Sequence, residues 1–134
     1  MSYRIECIPN VSTADPAILE RIAAAIQATE GVTLHFVDPG KSANRTVFTY
    51  LGPVSQVLKA TEALFAIALS EIDMRQHQGV HPRMGAVDVC PFVLLDDDTY
   101  ANDLLERVRT FAEDISTKHD LAIYGYEHLA SSPA

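Results

Sequence analysis

Cationic residues are scarce in this sequence of 134 residues: ten lysines and arginines stand against 18 aspartates and glutamates, which gives a net charge of −8. This acidic balance argues against binding to nucleic acid or to an anionic membrane as the main activity. An apolar run of about 18 residues, the length that a transmembrane helix needs, is also absent from the sequence. The N-terminal stretch lacks the basic region and apolar core of a signal peptide. We therefore expect a cytoplasmic protein without membrane association.

Cysteine is rare as well. Cys7 and Cys90 are the two in the sequence, and neither belongs to a CxxC pair, so a zinc site or a redox site of that type has no support. In a cytosolic chain, two thiols this far apart in the sequence are expected to be reduced core residues and not a disulfide.

The composition is that of a folded globular protein, with 48% hydrophobic and 21% charged residues. At this length we expect residues 1–134 to form a single domain. Hydrophobic periodicity predicts the order β-α-β-β-α-β, followed by one more helix and one more strand. The predicted strands are 3–8, 32–37, 46–51, 87–95 and 121–126, and the predicted helices are 15–31, 53–72 and 98–119.

The first six predicted elements have the ferredoxin-like arrangement. The predicted fold class is therefore α/β, more narrowly α+β: a ferredoxin-like core with an additional C-terminal helix and strand, and with helices covering one face of the sheet. Pro91 cannot donate to a β-ladder, so the strand that carries it should lie at a sheet edge or contain a bulge. We further expect Leu34 and Phe36 to share a face, and residues 38–40 to form a turn.

Residues 74–85, the predicted connection between the second helix and the fourth strand, concentrate two histidines, two arginines and two glycines. Loops rich in titratable groups are frequent functional sites, and histidine is suited to proton transfer near neutral pH. The spacing of His77 and His81 would place both on one face of a helix, as in some metal sites. Gly79 and Pro82 oppose a continuous helix, however, and no glutamate follows His77 as in HExxH, so we expect no metal. A purely structural role, in which the histidines satisfy loop carbonyls, stays open.

Four sequence blocks point to a known family. The longest, IDMRQHQGVHPRMGAVDV at 72–89, is accompanied by ECIPNVS at 6–12, NRTV at 44–47 and YGYE at 124–127. Together they make the chain resemble the N-terminal subdomain of the glutamate formiminotransferases (formimidoyltransferases), folate-dependent enzymes of histidine degradation.

The resemblance implies transfer of a formimino group from N-formimino-L-glutamate to N5 of tetrahydrofolate, which is a co-substrate. It implies that His81 is the acid–base residue and that Asp38 supports it. One imidazole serves as base toward N5 and then as acid toward the departing glutamate nitrogen, and a neighbouring carboxylate stabilises the imidazolium.

The matched blocks also supply candidates for substrate binding. Arg45 and Arg83 can form forked hydrogen bonds with the carboxylates that both formiminoglutamate and folate carry. Asn10 and Asn44 belong to the matched blocks and are further candidates. No residue is assigned to a resident cofactor.

Three departures from the family affect these expectations. The family has a second subdomain, with folate between the two, which residues 1–134 do not include. It also has a folate-contacting segment after the strand at 121–126, where only residues 127–134 stand in this sequence. Ala43 stands where the family often has histidine. We therefore expect a partner, either a homodimer or a separate chain with the C-terminal subdomain. In the homodimer the helix-free sheet face, bearing Phe48 and Tyr50, would be covered by a second copy. The alternative is a non-catalytic stand-alone paralogue that acts as a ligand-binding or interaction module.

Overall fold

The computed structural model describes residues 3–40, 44–72 and 86–119, and within these ranges the chain forms one six-stranded sheet with three α-helices. The predicted α+β class is confirmed. The ferredoxin-like arrangement of the first six predicted elements stays a prediction, and the additional strand predicted at 121–126 lies outside the described residues. The strands are β1 (Arg4–Cys7), β2 (Asn10–Val11), β3 (Thr33–Gly40), β4 (Arg45–Pro53), β5 (Val87–Val89) and β6 (Phe92–Leu94); the helices are α1 (Pro16–Ala28), α2 (Val54–Glu71) and α3 (Ala101–His119), the last preceded by a 3₁₀ turn (Asp98–Tyr100).

Strand β4 is the centre of the sheet, and all the pairings are antiparallel. It pairs with β3 on one side and with both β1 and β2 on the other, while β6 pairs with β1 and β5 with β2. Strands β1 and β2 form one line interrupted at Pro9, and β5 and β6 form a second line interrupted at Pro91. The Ile8 N–H donates to the Pro91 carbonyl across the two breaks at 3.1 Å. The line of β5 and β6 lies at an edge of the described sheet, as the missing N–H of Pro91 predicts.

The two faces of the sheet differ sharply in burial. Along β4, the side chains of Thr46, Phe48 and Tyr50 are fully buried, whereas the residues between them are partly exposed. The Tyr50 hydroxyl lies 2.6 Å from Oγ1 of Thr61 on α2, so the buried face is the one that packs against the helices. The prediction that Phe48 and Tyr50 lie on the helix-free face is therefore wrong. Large aromatic rings fill the layer between sheet and helices, where they leave the most apolar surface out of water.

The pairing of β3 with β4 overturns two further predictions. The register shifts between Leu34, which pairs with Tyr50, and Phe36, which pairs with Thr49. The extra residue turns Phe36 onto the helix-free face, where it is 56% exposed, so Leu34 and Phe36 do not share a face. Residues 38–40 also continue β3 opposite β4 and are not a turn, because the hairpin pairing extends to Gly40.

The helix starts follow local capping chemistry. Asp15 caps α1 by accepting a hydrogen bond from the Ala17 N–H at 2.9 Å. The helix ends at Ala28, three residues before Gly31, which instead occupies the next turn with φ of 86°. Asp97 caps the 3₁₀ turn before α3, and its hydrogen bonds from Thr99 lower the pKa of its carboxyl.

Aromatic rings join α3 to α2 and to the sheet, and an ion pair at the surface joins α1 to α2. The Phe111 ring on α3 meets Phe65 of α2 and Phe92 of β6 edge to face, with ring centroids 6.1 and 6.0 Å apart. Arg21 on α1 forms a forked ion pair with Glu71 on α2. Among the described helices none is long and apolar enough to cross a membrane.

Candidate functional site

The helix-free face of the sheet brings together three of the residues predicted for the site. Val47 on β4 is the cross-strand partner of Asn10 on β2 and also of Asp38 on β3. Directly paired residues project to the same face, so Asn10 and Asp38 flank Val47 at about two strand spacings, or about 10 Å. Arg45 lies two residues along β4 from Val47 and therefore on this face as well. We call this group, Asn10, Asp38, Arg45 and Val47, the central row.

Asn10 is the residue of the central row whose side chain has a buried polar atom without a hydrogen-bond partner among the described residues. It is partly buried, and its Oδ1 atom has lost contact with solvent without gaining a hydrogen-bond partner among the described residues. A buried acceptor without a partner costs about 1–3 kcal/mol, so such an atom in a native structure marks a strained or functional position. A ligand N–H or O–H placed over the row would satisfy it.

The segment between β2 and α1 fixes one end of the row. The Ser12 N–H donates to the Ala86 carbonyl at 3.0 Å, and the Thr46 hydroxyl donates to the Thr13 carbonyl at 2.7 Å. Asn44 has a left-handed backbone with φ of 52°, and its Oδ1 accepts from the Ala14 N–H at 3.0 Å. Asn44 is thus observed as a clamp that holds the start of β4 against this segment.

The predicted catalytic histidine is not among the described residues. His81, Arg83 and His77 all lie in 73–85, between the end of α2 and Ala86. The described end of that connection, Ala86, is hydrogen-bonded to Ser12, two residues from Asn10. The predicted proximity of His81 and Arg83 to Asp38 and Arg45 stays a prediction.

Sequence reasoning missed two contributors to this face. Phe36 lies two residues from Asp38 on the same side of β3, and its exposure follows from a bulge that no glycine or proline announces. Glu6 pairs with Leu51 and with Val93, which places its carboxylate on the helix-free face further along the sheet. The alternation of Glu6 with Ile5 and Cys7 was the available signal for that placement.

Metal ligation has no support within the described ranges, where no three His, Cys, Asp or Glu side chains cluster closely enough to hold an ion. The two loop histidines lie outside those ranges. The expectation of a metal-free protein therefore stays a prediction.

A concavity among the described residues lies on the helix side of the sheet and not at the central row. It is a shallow groove between α2 and α3, lined by Lys59, Glu62, Arg107 and neighbouring residues of both signs of charge. It contains none of the predicted site residues, so the central row is the better candidate for a functional site.

Comparison with known proteins identifies what the chain is similar to. The sequence model described as "Formiminotransferase domain, N-terminal subdomain" matches residues 4–134. The chain is 39% identical over 132 residues to a formimidoyltransferase-cyclodeaminase of Dictyostelium discoideum, covering 98% of the chain and 24% of that protein. It is 38% identical over 134 residues to a glutamate formimidoyltransferase of Streptococcus pyogenes serotype M1, covering 99% of the chain and 44% of that protein. The chain thus spans less than half the length of these curated relatives.

Proposed function

Because the chain belongs to the formiminotransferase family, as its N-terminal subdomain, we propose that it takes part in transferring a formimino group from N-formimino-L-glutamate to N5 of tetrahydrofolate. The observation that carries the proposal is the match along 4–134. The central row supports it, since β2 and the bulged hairpin of β3 and β4 bring an amide, a carboxylate and a guanidinium onto one face.

The proposed chemistry is an acid–base exchange at an amidine carbon. N5 of the folate attacks the formimino carbon and loses a proton, and the glutamate nitrogen leaves as the carbon–nitrogen bond breaks and gains a proton. His81 performs both transfers, which contributes about 10²–10⁴-fold to the rate. Asp38 accepts a hydrogen bond from the imidazole and stabilises its protonated form.

The polar groups of the central row suit substrate binding. The Arg45 guanidinium can form a charge-assisted, forked contact with a substrate carboxylate, and Arg83 offers a second. The unpaired Oδ1 of Asn10 needs a donor, and an N–H of the formimino group is one. Asn44 acts on this site through its clamp on the segment that follows β2.

Replacing Arg45 with glutamine is expected to weaken binding of formiminoglutamate or of a reduced folate by about 10- to 100-fold, since a charge-assisted hydrogen bond contributes about 1.5–3 kcal/mol. The measurement is a calorimetric titration of the protein with a reduced folate, with and without formiminoglutamate. Arg109→Gln on α3 is the matched control, because it removes the same charge away from the row. Equal affinities for both variants and the parent protein would remove Arg45 from the site.

The chain's span of less than half of its relatives favours action together with a partner. We propose that a second copy covers the helix-free face, where Phe36 and Val93 are 56% and 42% exposed. Covering exposed apolar side chains by two-fold pairing is the commonest solution. A separate chain that carries the C-terminal subdomain is the alternative partner.

Sedimentation at micromolar concentration is expected to give a species of twice the 14.7 kDa of one chain. Phe36→Glu should shift it to the monomer, because a charge on the covered face must lose its hydration. Thr110→Glu, on the exposed side of α3, should leave the dimer intact. A parent protein that sediments as a monomer would favour the separate chain.

A non-catalytic binding or interaction module is the second candidate function, because relatives that carry the activity in their names are more than twice as long as this chain. The two candidates differ in turnover. Transfer by the chain together with the remaining C-terminal part of the Streptococcus pyogenes relative supports the transferase. Folate binding without transfer in that mixture supports the module.

A further inference from the structure

The two cysteines, 83 positions apart in the sequence, are in contact. The Sγ atoms of Cys7 and Cys90 lie 3.6 Å apart, and both residues are free thiols. Cys7 is the last residue of β1 and is fully buried, whereas Cys90 lies between β5 and β6 and is partly exposed. The transferase chemistry proposed above uses neither thiol.

The interruption of two neighbouring strands creates this contact. Cys7 pairs with Phe92, and the next bond along the ladder joins the Ile8 N–H to the Pro91 carbonyl. Pro9 and Pro91 have no N–H to donate, so the ladder between β1–β2 and β5–β6 is weakest beside the sulfur atoms. A disulfide bond is about 2.05 Å long, and the sulfurs must approach by about 1.5 Å to form one. The two missing N–H groups leave fewer ladder hydrogen bonds to oppose that approach.

We propose that Cys7 and Cys90 form a redox-active dithiol, which closes to an intramolecular disulfide when a small-molecule disulfide such as oxidised glutathione is the oxidant. The different burial of the two cysteine residues sets the order of events. The partly exposed Cys90 reacts first with the oxidant, and the buried Cys7 resolves the product.

The exchange balances in two steps. The Cys90 thiolate attacks one sulfur of the small disulfide, and the other sulfur leaves as a thiolate that takes up a proton. The Cys7 thiolate then attacks Sγ of Cys90 and displaces the second small thiol. The protein loses two electrons and two protons, and the oxidant is reduced to two thiols.

The surroundings of the pair set the speed of the first step. The hydrogen bond between the two thiols and burial both raise the pKa of the Cys90 thiol. Because the thiolate is the attacking species, closure should be slow near neutral pH and accelerate as the pH rises. Cys7 also accepts a weak hydrogen bond from the Thr61 hydroxyl on α2, at 3.6 Å, so the disulfide would connect β6 to the core beneath that helix.

The test is oxidation of the dilute 134-residue chain with oxidised glutathione, followed by alkylation of remaining thiols and intact-mass measurement. We expect the parent protein to lose two alkylatable thiols and about 2 Da, the mass of two hydrogen atoms released by disulfide formation, and to recover both after reduction. The oxidised form should also unfold at a higher temperature than the reduced form, because the cross-link closes a long loop in the unfolded chain.

Single replacements separate closure from simple adduct formation. Cys7→Ala should stop at a glutathione adduct on Cys90, and Cys90→Ser should react far more slowly because the remaining thiol is buried. The proposal is overturned if the parent protein keeps two alkylatable thiols, if it stops at the adduct as Cys7→Ala does, or if its cross-link joins two chains on a non-reducing gel.

Discussion

Replacing Phe48 with alanine is expected to lower the free energy of unfolding by about 3–5 kcal/mol, the range measured when a buried aromatic side chain is removed. Its ring is fully buried in the layer between β4 and the helices. The loss combines the transfer free energy of the ring with a cavity that the surrounding side chains fill only in part. Chemical unfolding followed by circular dichroism measures it, at one protein concentration below that of dimer formation.

Phe36→Ala is the matched control because it makes the same chemical change on the other face of the sheet. The Phe36 ring is 56% exposed, so its removal should change the free energy of unfolding by less than about 0.5 kcal/mol. Phe48→Leu should retain much of the lost stability, since it restores most of the apolar volume. Equal losses for the two alanine variants would contradict the assignment of the two faces.

The helices could be predicted from the sequence because their signals are local. The Asp15 cap, the stripe of Ile18, Ile22 and Ile26, and the basic end of α3 are each read within a few residues. The break at Pro91 is equally local, since the missing N–H belongs to the residue itself.

The orientation of strand side chains could not be predicted in the same way. An apolar strand buried on one face has the same period of two whichever face points to the helices. The bulge before Phe36 reverses part of β3 without a glycine or proline to mark it. Burial of Phe48 and Tyr50 is therefore a property of the packed sheet and not of their own segment.

For the candidate site as well, the sequence predicted which residues take part but not how the sheet arranges them. The matched blocks identified Asn10 and Arg45, and the family resemblance identified Asp38, but their presence on one face depends on the pairing of β2, β4 and β3. The contact between Cys7 and Cys90 is non-local in the same sense. The two residues are 83 positions apart in the sequence, and the pairing of β1 with β6 brings them together. Composition had suggested only two isolated thiols.

Replacing His81 with alanine is expected to reduce formimino transfer by about 10²–10⁴-fold, because one imidazole both accepts the proton from N5 and donates one to the departing nitrogen. Folding should be retained, since a polar residue in a predicted loop contributes about 1 kcal/mol or less to stability. The measurements are thermal unfolding of the variant and transfer activity of its mixture with the C-terminal part of a full-length relative.

His77→Ala is the matched control, because it removes the other imidazole of the same predicted loop. Acid–base catalysis by His81 requires that this variant keep its activity, and that His81→Ala bind reduced folate as tightly as the parent protein. A lost activity that follows His77 instead would transfer the acid–base role to that residue. If His81→Ala and His77→Ala both turn over as fast as the parent protein, acid–base catalysis by either imidazole is contradicted, and Asp38 then has no imidazole to support. The central row would in that case be a binding surface, and Arg45→Gln would still weaken ligand binding while leaving the rate of the bound complex unchanged.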